Sequence, residues 1–94
     1  MDKYEELLRT ISSCYLPLLS AGAVFAIQDD LERQDDEFAV DGFLQFTLLE
    51  GIDLPTDILD DIEAEVRAAW DPELYERTLG WIAKHREKNQ TPVA

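Results

Sequence analysis

Asp35-Asp36-Glu37-Phe38-Ala39-Val40-Asp41-Gly42-Phe43-Leu44-Gln45-Phe46-Thr47-Leu48-Leu49-Glu50-Gly51-Ile52-Asp53-Leu54-Pro55-Thr56 contains one complete helix together with its start and stop signals. Asp35 or Asp36 can cap the start. Val40, Phe43, Leu44, Thr47 and Leu48 recur at helical spacing and predict one inward face, with the helix running to about Glu50. Gly51 supplies the left-handed residue that ends a helix, and Ile52 the apolar contact just past it. Gly42 weakens the helix by roughly 1 kcal/mol relative to alanine. It is either a site of close helix approach or simply a tolerated glycine. Asp53 to Thr56 reads as a short connector, with Thr56 the expected N-cap of the next helix.

The same pattern extends in both directions. Upstream, Ser20 is the expected N-cap of a helix reaching about Gln34, with Val24, Ile27 and Leu31 inside. Ala23–Ile27 could instead be a buried strand, although no hairpin partner or turn signal flanks it. Tyr4, Leu7, Leu8, Ile11 and Tyr15 mark the first helix. Asp2, Glu5 and Glu6 fall in its first turn, where the helix dipole favours acids. Pro17 is expected to end or kink this helix near Cys14. Downstream, Ile58, Ile62, Val66 and Ala69 line a helix from Asp57 to about Trp70, turning Asp57, Asp60 and Asp61 outward. Asp71-Pro72 restarts the chain as N-cap and first helical residue. Leu74, Tyr75, Thr78, Leu79 and Ile82 form the face of the last helix, which closes on Lys84, Arg86 and Lys88. Residues 89–94 are expected to fray. The expectation is one all-α domain over residues 1–94, a compact bundle of four to five short helices.

Composition supports a folded chain: 46 % of the residues are hydrophobic and nine are aromatic. The net charge is −13 and the isoelectric point about 4.1. A surface of that sign repels phosphates, so charge-driven binding to nucleic acid or anionic membrane is disfavoured. The single cysteine, Cys14, cannot form an internal disulfide, which fits a reducing cytoplasm. The N-terminus lacks the pattern of a signal peptide. The apolar stretch 14–27 is too short to span a bilayer and is interrupted by Pro17 and Gly22.

Few residues suggest catalysis or metal binding. His85 is the only histidine and is expected on an exposed terminal turn, with Cys14 a buried free thiol. A Cys–His pair would need a third group and a pocket. Neither 35–46 nor 53–64 has the ligand spacing of a calcium loop, and one histidine cannot supply the Glu-x-x-His pairs of a di-iron bundle. No cofactor, metal site or enzymatic activity is expected. Trp70 and Trp81 flank the last connector; Trp81 lies off the apolar stripe and is a candidate for partial exposure.

The notable feature is charge. Between Asp29 and Glu63 there are thirteen acids and one base, Arg33. Helices stabilised by their own surfaces tend to pair opposite signs four residues apart. Glu63–Arg67 does so, whereas Asp57–Asp61 and Asp61–Glu65 place like charges together. The excess points to a basic protein partner that the surface steers and pairs with. The candidate partner-binding residues are Asp29, Asp30, Asp35, Asp36, Asp57, Asp60 and Asp61, with Glu50 and Asp53 at the margin. The plainer account is a solvated acidic surface that aids solubility.

The segment 28–65 carries helix, acidic turn, helix, then Gly51-Ile52-Asp53-Leu54-Pro55 and a further helix. With Asp36-Glu37-Phe38-Ala39-Val40, Phe43-Leu44 and Leu48-Leu49-Glu50, it resembles small helical immunity proteins of bacterial polymorphic toxin systems. The similarity is greatest to the Maf type, and looser to those of contact-dependent growth inhibition. The resemblance implies a cytoplasmic antitoxin that neutralises a toxin domain, often a nuclease with a basic cleft. A nucleic-acid mimic inhibiting some other basic nucleic-acid-binding enzyme, in an anti-defence or adaptor role, would use the same acids.

Overall fold

Asp2 opens the chain's first helix by accepting a 2.8 Å hydrogen bond from the Tyr4 amide. The structure, a computed structural model, describes residues 2–90. Five α-helices follow in order: α1 (Lys3–Thr10), α2 (Ala21–Glu32), α3 (Asp36–Leu49), α4 (Thr56–Ala69) and α5 (Pro72–Gln90). No strand occurs among the described residues, so Ala23–Ile27 is helical and the fold is an all-α bundle. Among the described residues no helix is long and apolar enough to cross a membrane.

Pro17 acts earlier than its position suggested. It has no N–H to return to the Ser13 carbonyl, and its ring crowds that carbonyl. Regular α-helix stops at Thr10, widens to a π turn over Ile11–Tyr15, then tightens to a 3-10 turn over Leu16–Leu18. This keeps Ile11, Leu16 and Leu19 in the core. It also leaves Cys14 exposed, against the expectation of a buried thiol.

Ser20 caps α2 as expected, its side chain accepting from the Ala23 amide at 3.3 Å. The helix ends at Glu32, short of the expected Gln34. Gln34 takes a left-handed φ of 64°. Its amide reaches Leu31 O and that of Asp35 reaches Asp30 O, satisfying the last carbonyls of the helix. The end of α3 repeats this with Gly51 at φ 74°, where Gly51 N bonds Leu48 O and Ile52 N bonds Thr47 O. Asp35 is the cap residue of α3, although its side chain makes no capping bond. Thr56 is not a cap: Pro55 holds that position with extended backbone, and Thr56 is the first helical residue. Asp71 caps α5 through a 3.0 Å bond from the Glu73 amide.

Helix α3 is the core of the bundle, packed between α2 and α5, with α4 against α5 and α1 against α4. Phe43 and Leu44 on α3 are fully buried, and Tyr15 meets Phe43 edge-on at 5.7 Å. A methyl group at Gly42 would sit 3.9 Å from Ile27 and Phe46, an ordinary contact, so the glycine is a tolerated one. On α4 the inward residues are Leu59, Ile62 and Val66; Ala69 is exposed instead. Asn89 and Gln90 belong to α5, and Asn89 Nδ2 donates to Leu54 O at 2.9 Å, so fraying does not begin at residue 89. The expected fraying of 91–94 lies outside the described residues.

His85 is completely buried, contrary to its expected place on an exposed turn. It continues the inner face of α5 after Leu74, Thr78 and Ile82, at spacings of four, four and three. Its Nε2 lies 2.9 Å from Leu44 O and 3.2 Å from Thr47 Oγ1. Thr47 already donates to Phe43 O at 2.7 Å, so His85 Nε2–H is assigned as the donor to Leu44.

Candidate partner-binding groove

Two populations stand out among the acids. In the first, the carboxylate is engaged within the molecule. Asp60 meets Arg86 at 2.8 Å, and Arg86 also holds Glu63 at 2.9 Å. Asp61 pairs with Lys3 at 3.1 Å and Asp29 with Arg33 at 3.3 Å. Lys88 Nζ is 3.0 Å from Asp53, close enough to pair electrostatically although not aligned as a hydrogen bond. Glu50 is a long-range cap for α2, accepting from Ser20 N and Ser20 Oγ, both at 2.7 Å. The expected Glu63–Arg67 pair forms at 2.9 Å, and its hydrogen bonds to Arg67 and then Arg86 hold the Glu63 carboxyl below its ordinary pKa.

Asp41 is the extreme case. It is buried, accepting from Arg77 at 2.7 Å and from Thr78 Oγ1 at 2.8 Å. Five of the nine candidate residues (Asp29, Glu50, Asp53, Asp60 and Asp61) therefore have internal roles. The candidate set does not form one continuous patch.

The second population surrounds a groove of about 340 Å³. The α2–α3 corner contributes Gln34 and Asp35. The first turn of α3 contributes Asp36, Glu37 and Phe38. Glu65 and Trp70 at the end of α4, together with Tyr4 of α1, complete the lining. Among the described residues, none of Asp35, Asp36, Glu37 or Glu65 is in an ion pair. Two of the predicted residues, Asp35 and Asp36, thus lie in the groove. Asp30 adjoins it: burial, then the charges of Asp29 and Asp35, push its carboxyl above the ordinary range. Asp57 does not belong, because it sits near Tyr15 at the opposite end of α4. Eight residues separate it from Glu65, about 12 Å along the axis.

Helix dipoles account for some of this arrangement but not all. Asp36 and Glu37 occupy the first turn of α3, where acids are favoured. Glu65 is one turn from the C-terminal end of α4, where the dipole disfavours an acid, and it follows Asp61 by four residues. Its position is unfavourable for the isolated fold.

Tyr4 registers the resulting field. Its hydroxyl is buried and has no hydrogen-bond partner among the described residues. Burial first, then the charges of Asp36, Glu65 and Glu37, raise its pKa well above the ordinary phenol value. The phenol therefore stays protonated. Phe38 is 53 % exposed beside these acids, whereas the Trp70 indole is largely buried and stiffens the wall.

The sequence reading missed Tyr4, Glu37, Phe38, Glu65 and Trp70 as site residues. The like-charge spacing Asp61–Glu65 was the one available signal. No cluster of three or more histidine, cysteine or acidic side chains converges as a metal site among the described residues. Cys14 is exposed while His85 is enclosed by α3, so the two share no surface. Away from the groove, Lys84 stacks 5.1 Å from the half-buried Trp81 ring. No family model, curated protein or solved structure matches this chain.

Proposed function

We propose that this chain is an immunity protein, a stoichiometric inhibitor that binds a basic toxin domain, a nuclease foremost, in the cytoplasm of the producing cell. The observation that carries the reading is the unpaired quartet of Asp35, Asp36, Glu37 and Glu65 around one groove, on a fold that pairs most of its other candidate acids. Unpaired like charges held together repel, and a cationic partner relieves that repulsion on binding. Such a surface speeds encounter with a basic cleft and competes with the phosphates that the cleft would otherwise hold. The resemblance of residues 28–65 to helical immunity proteins supports the same partner class.

The test begins with affinity capture from the producing cell, followed by assay of the purified captured protein for nuclease activity. The proposal expects a basic protein whose activity falls to background at one equivalent of inhibitor, with weaker inhibition as salt rises. Retention of no basic protein, or full nuclease activity at excess inhibitor, would contradict it.

A further inference from the structure

We infer that the uncharged end of the molecule, formed by the start of α2, the turn before it and the end of α3, is where two copies of this chain meet about a twofold axis. The inference goes beyond the proposed function and does not depend on it.

In a chain in which 31 % of the residues are charged, the nineteen from Thr10 to Gln28 carry no charge. The core accounts for Ile11, Leu16, Leu19, Ala23 and Ile27. It does not account for Pro17, Leu18, Ala21, Gly22 and Phe25, which face solvent, where charged side chains are usually found. Four large hydrophobic side chains are exposed among the described residues: Phe38 lines the groove, and the other three are at this end. Phe25 is 74 % exposed, Leu49 71 % and Leu18 57 %. The two bonds from Ser20 to Glu50 bring the end of α3, and with it Leu49, against the turn that carries Leu18. Ala21 and Phe25 are one turn apart on the side of α2 facing away from Ala23 and Ile27. An apolar surface bounded by charge, here Asp29 and Glu32 beside Phe25, marks an interaction site.

Charge selects the occupant. Glu50 reaches this surface with both carboxylate oxygens already accepting from Ser20, so a basic partner gains little here. A surface that lacks charge is complementary to itself. Two copies of a chain of net charge −13 can meet here without setting acid against acid, whereas the exposed Asp57 and Asp60 of α4 would oppose their counterparts. A twofold contact uses the same surface on both copies, as this one requires. Antiparallel α2 helices would set Phe25 of each copy over Ala21 and Gly22 of the other. A side chain at Gly22 would meet nothing within 4 Å, so the helix backbone is open to close approach. The twelve residues of α2 place the α2–α3 corner about 18 Å from Ser20, so both acidic grooves stay open in the dimer.

The experiment is sedimentation equilibrium of the whole chain over a range of concentrations, at low and high salt, with the fold checked by circular dichroism. The expected result is an association that stops at two copies and tightens about threefold or more as salt screens the repulsion between two acidic chains. Phe25→Glu should weaken it at least about tenfold, since the change occurs twice in a twofold contact and removes its central aromatic. Ala21→Glu should also weaken it, from the facing position, whereas Ala83→Glu, on the exposed side of α5, should leave it unchanged. A monomeric mass at every concentration, association that continues past two copies, or a dimer that salt weakens would overturn the inference. So would a dimer indifferent to both Phe25→Glu and Ala21→Glu. Two results would give the face to another occupant and overturn it likewise: a monomer that binds zwitterionic lipid vesicles until Phe25 is replaced, or a monomer whose captured basic partner is released by Phe25→Glu.

Discussion

Glu63 and Glu65 lie two residues apart on α4 in opposite electrostatic surroundings. Glu63 is held between Arg67 and Arg86, while Glu65 lines one groove with Asp35, Asp36 and Glu37 and makes no ion pair among the described residues. The pair separates an acid the fold uses from one that it merely tolerates. Glu63→Gln should lower stability by about 0.5–1 kcal/mol, since these bridges are partly exposed. Glu65→Gln should raise it by about 0.3–0.5 kcal/mol by relieving the Asp61 repulsion and the unfavourable dipole. Urea unfolding at low ionic strength measures both, and the two changes should have opposite signs.

Asp41 is the one acid whose role is in the core. Arg77→Ala would leave its buried carboxylate with only Thr78, at a cost of about 1–3 kcal/mol because Arg77 itself is half exposed. Asp41→Asn should cost about 1–2 kcal/mol. The double variant should be less destabilised than the sum of the two, because each single change removes the same pair. Strict additivity in denaturant melts would contradict the coupling.

His85 gives the fold a pH dependence. Its burial, opposed by the bond to Leu44 O and reinforced by the nearby Lys88 charge, lowers its pKa below the ordinary histidine value. Nδ1 is buried without a partner, so the charged form has nowhere to place its second proton. With the folded pKa depressed, the unfolded chain binds the proton more readily. The histidine's stability contribution is therefore complete above the unfolded pKa of about 6.5 and falls as pH drops through and below that value. Glu63 acts in the same direction at lower pH: its contribution is complete above the unfolded carboxylate pKa and is lost as pH falls through its depressed folded pKa. His85→Gln keeps an amide donor toward Leu44, so it should be less stable at pH 7 yet flatter between pH 7 and 5 than the wild type. Equal slopes for the two proteins would remove His85 from the account.

Glu50 serves the fold, according to its bonds to Ser20 N and Oγ. Glu50→Ala should cost about 1 kcal/mol or somewhat more, the range for losing a charge-assisted cap. It should leave partner affinity unchanged. A large loss of affinity with unaltered stability would return Glu50 to the binding surface.

The helices were legible because their boundaries are written in local chemistry: Ser20, Gly51 and Asp71-Pro72 act within a few residues of themselves. Pro17 was legible as an interruption but not in kind, since a π turn followed by a 3-10 turn depends on keeping Ile11, Leu16 and Leu19 buried together. The burial of His85 was readable from the spacing 74, 78, 82, 85, but a lone polar residue near a chain end suggested solvent. The acidic window misled in one respect. Within 29–63 the carboxylates look unbalanced, yet Lys3, Arg86 and Lys88 lie outside that window and return to Asp61, Asp60 and Asp53 through the packing of α1 and α5. Asp35 and Asp36 were identified by charge alone. Tyr4, Glu65 and Trp70 were not, because roughly thirty residues of chain separate each from the corner they complete.

The most direct test of the central claim is the association rate of the captured basic partner across ionic strengths, measured for two sets of neutralised acids. Asp36→Asn/Glu65→Gln, in the groove, should slow association at low salt about fivefold and flatten its salt dependence. Asp60→Asn/Asp61→Asn, in the internally paired set, should change the rate by less than about twofold. Equal slowing by both pairs, or a wild-type rate indifferent to salt, would contradict a binding surface made from the carboxylates that the fold leaves unpaired.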